Sequence, residues 1–281
     1  MQRFLIWRRT WKRPWPSATR LPSCNVTGRL LMVDLRVGTP REGIRLLMLS
    51  RSARRNALSR DLITALRESL YSAAAEGARA VVIAGAGPAF SSGADLADLE
   101  GNVSDEEFDA EMSGLTGALR ESALISFAAI NGACVGAGLD LALACDFRVA
   151  APDAFFALPA VRMGILYNPQ RLAQILPMLS HAAASRLLLL AERLDRDEAR
   201  AGGIVTHVSD RSGDNAVIEA ALDLAAVAAA LPALAQGAAK AFTTSFMGPD
   251  FKASDWQAKR LELLASEERR EALRQARTPR K

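Results

Sequence analysis

The sequence predicts an α/β domain built on largely parallel strands, and three observations carry that expectation. Short apolar runs closed by glycine turns alternate with stretches of helical apolar spacing over the first 150 residues. Ala80–Ile83 is a β-branched run without a polar face, as a strand covered on both sides requires. After about residue 170 the strand signal fades into Ala/Leu-rich helix.

The elements follow in order. Leu31–Leu35 and Ile44–Leu49 read as largely apolar strands, with Arg51–Ser59 as a polar turn region after them. Arg60–Ala75 places Leu62, Ile63, Leu66 and Leu70 on one helical face. Ala80–Ile83 is the next strand, ended by Gly85-Ala86-Gly87-Pro88, and Ala89–Asp95 is a loop of small residues. Residues 98–111 hold seven acids and no base, which predicts a solvated helix or a mobile segment. Leu124–Ile130 is a buried strand turned by Asn131-Gly132. Gly136-Ala137-Gly138 then opens a helix, Leu139–Ala144, and Phe147–Ala150 is again a strand. The helices expected beyond are Ala182–Ala191, Arg196–Ala201, Ala216–Leu231 and Trp256–Ala276. The apolar run Leu224–Ala235 is too short to span a bilayer and is broken by Pro232.

At 281 residues, 50% apolar and 23% charged, the chain fits one large domain with an appendage and excludes wholesale disorder. Residues 1–33 carry seven Lys/Arg and no acid. Without them 28 basic side chains face 31 acidic ones, so the net charge of +4 belongs to the tail and no nucleic-acid surface is expected. In that tail Trp7, Trp11 and Trp15 would share one helical face among arginines, as in a membrane-surface helix, but Pro14 and Pro16 cut it short. An organelle transit peptide and a spurious extension with Met32 as the true start are the other readings; the simplest is that residues 1–30 are disordered or spurious. The expected location is cytoplasmic, or the mitochondrial matrix if residues 1–30 are a transit peptide. Cys24, Cys134 and Cys145 are too few and odd in number for a disulfide scaffold. Two histidines, His181 and His207, leave no zinc motif, and neither lies in a site motif, so both are expected at the surface or in structural roles.

Gly132, Gly136 and Gly138 after a strand invite a dinucleotide reading, but the spacing is wrong for it. What they do offer is a helix start with free backbone N–H groups, and Ser91-Ser92-Gly93-Ala94-Asp95 is a second loop of that kind. Two such loops would give two N–H donors for one oxyanion. Read from spacing alone, tight turns packed with small residues are the stronger reading.

At these residues the sequence resembles the enoyl-CoA hydratase/isomerase (crotonase) family, from about residue 31 to 281. Arg55-Asn56-Ala57-Leu58-Ser59 is similar to that family's first CoA-contacting turn. Ala80–Ile83 with Gly87–Leu96 is similar to its strand and first oxyanion loop, and Ala129–Gly132 with Gly136–Ala142 to its second. Cys145–Ala150, Ala154-Phe155-Phe156 and Arg196–Val205 continue the likeness. The resemblance implies a crotonase-like spiral of ββα repeats, a core over 31–200 and a helical carboxy-terminal trimerisation region over 201–281. It implies acyl-CoA thioesters as substrates, with coenzyme A carried by the substrate and no other cofactor, no metal, and a homotrimer or a dimer of trimers. It implies backbone donors at Ala94 and Ala137, with Arg55, Ala57, Ser92, Gly93, Asp95, Leu96, Gly138 and Asn168 around the thioester.

The side chains depart from that pattern. The family's first catalytic glutamate corresponds to Asp140, one methylene shorter. The second corresponds to Ala160, which transfers no proton. A third carboxylate position falls on Asn168, which orients but is no base. Asp140 is the expected base, with structural pairing as its alternative; Asp95 is expected to accept loop N–H groups. Tyr167 is a candidate proton donor or a packing residue, and the acidic segment 98–111 a lid that supplies an acid such as Glu100. The expected function is chemistry on an enoyl-CoA-type thioester, with a weakly active or inert acyl-CoA-binding protein as the alternative. A serine peptidase of the related Clp fold would need a histidine near the glycine loops, and neither lies there.

Overall fold

The computed structural model describes residues 34–211, 215–246, 248 and 251–277. The tail, with its tryptophans and the first residues of the strand expected from Leu31, lies outside the described residues.

The first strand, β1 (Leu35–Arg41), starts where the expected one ends and forms an antiparallel hairpin with β2 (Ile44–Leu49). α1 (Arg60–Ala75) follows, started by Ser59, whose Oγ accepts from the Leu62 amide. Then a two-strand corner recurs three times. β3 (Ala80–Gly85) and β4 (Ala89–Ser91) lead to α2 (Glu106–Glu121). β5 (Ile125–Ile130) and β6 (Ala133–Val135) lead to α3 (Ala137–Ala144). β7 (Phe147–Ala150) and β8 (Phe155–Ala157) lead to α4 (Pro169–Ile175). Beyond come α5 (His181–Leu189), β9 (Arg193–Asp195), α6 (Arg196–Ala201), β10 (His207–Val208), α7 (Ala216–Ala229), α8 (Ala233–Phe246), α9 (Gln257–Ala265) and α10 (Glu267–Arg277).

In each corner the first strand joins a six-stranded sheet, ordered β1-β2-β3-β5-β7-β10, and the second joins a four-stranded sheet, ordered β4-β6-β8-β9. Apart from the hairpin and the antiparallel β8–β9 pair, neighbours run parallel. The chain is thus a spiral of ββα units. β3 shows why its sequence has no polar face. Val81 and Ile83 enter one core with Leu62, Leu66 and Leu115; Ala80, Val82 and Ala84 enter another beneath α7, against Ile218 and Leu222.

Three expectations need correction. β9 and β10, of three and two residues, were too short to leave a periodic signal. Pro232 divides the apolar run into two helices, so α8 follows where no helix was expected between Leu231 and Trp256. Residue 200 is no boundary: it lies inside α6, β10 completes the six-stranded sheet beyond it, and α7 covers that sheet's outer face. Further on, Lys240 of α8 is buried. Its Nζ donates to the Leu119 and Leu124 carbonyls at 2.9 and 2.6 Å and to Asp146 Oδ2 at 2.8 Å, which anchors the last helices to the core.

Candidate active site

The two loops meet where the sheets end. After β4 the chain touches the first turn region through a single parallel bridge between Leu58 and Ala94. Leu58 N donates to Gly93 O at 2.8 Å and Asp95 N to Leu58 O at 2.9 Å, so the Ala94 amide points to the opposite side. Ala137 is the first residue of α3, a position whose amide has no intrahelical acceptor and lies at the positive end of the dipole. Gly93 brings the two together. It holds φ +100, and a Cβ there would lie 2.9 Å from the Val135 carbonyl and 3.5 Å from the Ala137 nitrogen. Gly138 seats α3 on β4, since a Cβ there would lie 2.7 Å from Ser91 Cβ.

The turn region is held from below by two residues that the sequence reading did not single out for a role. Asn56 is fully buried; its Nδ2 donates to the Ala86 and Ala89 carbonyls and its Oδ1 accepts from the Arg51 amide. The Arg51 guanidinium bonds the Ala57 carbonyl at 2.7 Å, Asp34 at 3.0 Å and Asp95 at 2.7 Å. It therefore ties the turn at 55–58 to the first loop. Arg55 sits at φ 52 and its carbonyl accepts from Ser92 N at 3.0 Å, while Ser92 Oγ donates to Arg54 O. Burial pushes the Asp95 carboxyl up, yet the Ala97 N–H bond and the Arg51 charge outweigh it and hold the group below the usual carboxylate range. Leu96, next in line, is exposed at the start of a 3₁₀ turn.

The side-chain half is organised differently. Asp140, on the first turn of α3, is 1% exposed, walled by Leu139, Leu143, Leu158 and Leu172. Its carboxylate accepts from Arg171 Nε at 3.0 Å to each oxygen, from Arg171 Nη2, and from the Tyr167 hydroxyl at 3.0 Å. The unpaired base expected in an apolar pocket is thus replaced by a buried ion pair. Arg171, also buried, is the partner the sequence reading missed; nothing in the spacing of Asp140 and Arg171 announces it. Burial and the Asp140 charge push the Tyr167 phenol well above its usual value, so it stays a donor. Asn168 caps α4, its Oδ1 accepting from Gln170 N and Arg171 N at 3.0 and 3.2 Å. Ala160 is buried in a 3₁₀ turn after Pro159 and carries no proton.

Two further groups border this half. Asp109 of α2 accepts from Asn168 Nδ2 at 3.5 Å and, among the described residues, makes no ion pair. Burial pushes its carboxyl up, and the Asn168 bond only partly opposes this. Arg120 Nη2 is buried with no hydrogen-bond partner among the described residues; burial, followed by the Arg171 charge, lowers that guanidinium to about 10. Glu100 is exposed, its carboxylate accepting from Asn102 and Ser104. The histidines lie elsewhere, His181 at the exposed start of α5 and His207 against the Phe147 ring. Burial also pushes the Cys145 thiol up to about 12, so it supplies no thiolate.

The comparisons with known proteins point one way. The family model described as enoyl-CoA hydratase/isomerase matches residues 39–277. The probable enoyl-CoA hydratase echA6 of Mycobacterium tuberculosis (strain CDC 1551 / Oshkosh) is 35% identical over 170 residues, 60% of this chain and 69% of that protein. The mitochondrial enoyl-CoA hydratase domain-containing protein 2 of Bos taurus is 34% identical over 222 residues, 76% of this chain and 74% of that one. Among solved structures, Pseudomonas aeruginosa DspI superposes with a TM-score of 0.78 at 30% identity, covering 88% of this chain and 96% of that one.

Proposed function

Since this chain belongs to the enoyl-CoA hydratase/isomerase family, we propose that it binds acyl-CoA thioesters and polarises their carbonyl between the Ala94 and Ala137 amides. One observation carries the reading: Gly93 holds the first loop against the start of α3, which leaves both amides turned away from the backbone ladder. Backbone donors fixed before the substrate arrives stabilise charge that develops on the thioester oxygen, each worth on the order of 3–4 kcal/mol in the transition state. The turn at 55–58, braced by Arg51 and Asn56, is the proposed contact for the CoA portion. Calorimetry with acetoacetyl-CoA, free CoA and free acetoacetate tests this. Thioester binding well above that of the free acid is expected; equal affinity, or no thioester binding, overturns it.

Water addition is expected to be slow. Asp140 is consumed by Arg171 and Tyr167, and Ala160 supplies no second carboxylate. The same facts favour a second reading, a binding protein with little turnover, which an assay across enoyl- and dienoyl-CoA substrates separates from the first. We also place self-association on the last helices, where Leu261 and Leu273 stand exposed; light scattering is expected to give a trimer or a dimer of trimers.

A further inference from the structure

Three carboxylates lie in or beside the two halves of the site, and their surroundings sort them. Asp95 is held by Arg51 and the Ala97 amide. Asp140 accepts from Arg171 and Tyr167. Neither keeps room for a proton in transit, because taking one up would break a charge-assisted bond. Asp109 is the third. It lies one turn into α2, between Phe108 and Met112 of that helix's buried face and the solvent. Among the described residues its one hydrogen bond is the long contact to Asn168 Nδ2, at 3.5 Å. Asn168 follows Tyr167, which bonds Asp140, which stands three residues after Ala137. A half-buried carboxylate, without a cation partner among the described residues, therefore faces the side-chain half of the site from the α2 side.

We propose that Asp109 is the acid–base group of this site, and that it moves a proton to and from the carbon next to the thioester carbonyl. The proposal rests on the reading that the site takes acyl-CoA thioesters. In the forward step the C–H bond breaks and an O–H bond forms on Asp109. The C–H electron pair moves into the carbon skeleton and the carbonyl π pair onto oxygen, which the Ala94 and Ala137 amides receive. The Asp109 carboxyl then returns its proton to the same carbon, or to the γ-carbon of a 3-enoyl thioester, which yields the 2-enoyl isomer. Nothing else enters or leaves. One group suffices for such a transfer, whereas water addition asks for two. The environment agrees: burial and the nearby Asp140, Asp105 and Glu106 charges all disfavour the ionised form, which strengthens the carboxylate as a base. Glu100, the acid that the sequence suggests in this segment, sits in its own surface turn.

The test uses trans-3-hexenoyl-CoA in D₂O with the full chain, and reads deuterium in the recovered thioester and the amount of 2-enoyl product. Acetoacetyl-CoA binding is measured alongside. Wild type is expected to incorporate deuterium, Asp109→Asn to lose about 10²–10⁴-fold of that rate with acetoacetyl-CoA affinity within threefold, and Asp109→Glu to recover part of it. Asp109→Asn keeps a side-chain oxygen for Asn168, and its melting temperature shows that it folds. Exchange in Asp109→Asn within threefold of wild type overturns the proposal, and so does a wild type that binds the thioester without exchange or product. Absence of thioester binding in wild type instead overturns the ligand reading beneath it, so the two failures are distinguishable.

Discussion

The two halves of the site are built from different materials. The proposed oxyanion half consists of main chain: amides at Ala94 and Ala137, placed by glycines that let strand, loop and helix approach within van der Waals distance. The other half consists of side chains, and there Asp140, Tyr167, Asn168 and Arg171 bond mainly to one another and to the start of α4. A donor made of backbone survives any substitution that keeps the local path. A group made of side chain changes role with a single new neighbour, as Asp140 does beside Arg171. The half proposed to hold the thioester oxygen thus keeps its amides, while the half that would handle water is occupied with structure.

Breaking the side-chain half has the largest expected effect on stability. Arg171→Met leaves the Asp140 carboxylate buried with only the Tyr167 hydroxyl, and unpairing a buried charge typically costs about 3–5 kcal/mol. Urea unfolding checks this. Adding Asp140→Leu to Arg171→Met should recover most of the loss, because the walls are leucines. A double variant no more stable than the single one would show that the pair does more than neutralise itself.

The backbone half is sharpened by Gly138→Ala. Its Cβ would meet Ser91 Cβ at 2.7 Å, so the start of α3 must shift and take the Ala137 amide with it. Loss of one oxyanion donor corresponds to about 10²–10³ in rate. The readout is thioester turnover or deuterium exchange, with circular dichroism to establish that the fold persists. An unchanged rate would remove Ala137 from the oxyanion contact.

Legibility in the sequence follows the same division. β2, β3, β5, β7 and α1 were readable because they bury continuous or periodic apolar faces, whereas β4 and β6, three residues each, lay hidden in what read as loops and turns, and α2 in an acidic segment. The loops were readable as small residues able to supply two N–H donors, although spacing alone favoured plain tight turns and only the resemblance favoured the shared purpose. Asp140 was readable as a position but not as an ion pair, since its partner lies 31 residues away on an element with its own cap. Asp109 was one of seven acids in a segment that looked uniformly solvated; only packing of α2 separates it from the rest. Lys240 was hidden for a similar reason, a lone cation in an alanine-rich helix. Lys240→Met should cost about 2–3 kcal/mol, because the Leu119 and Leu124 carbonyls lose a charged donor while Asp146 keeps Ser126. Faster amide exchange in α8 with little change in β3 and β5 would locate the effect at the anchor; uniform acceleration would not.

The smallest effect belongs to Asn168, where both halves of the argument meet. As the cap of α4 it holds the Gln170 and Arg171 amides, and thereby the direction from which Arg171 reaches Asp140. Its amide nitrogen also donates to Asp109. Replacing a capping residue by alanine costs about 1 kcal/mol, or roughly 2–4 °C in Tm for a domain of this size. Asn168→Asp should restore the melting temperature, since aspartate caps as well as asparagine. It also sets a second carboxylate against Asp109 in place of a donor, so the Asp109 proton should be held more tightly still. The two variants therefore separate packing from chemistry. Asn168→Ala should lose stability and keep most of its exchange activity, whereas Asn168→Asp should keep stability and shift the pH dependence of exchange upward. Equal melting temperatures for wild type and Asn168→Ala would mean that the cap contributes nothing, and that α4 is held by Leu172 and Ile175 alone.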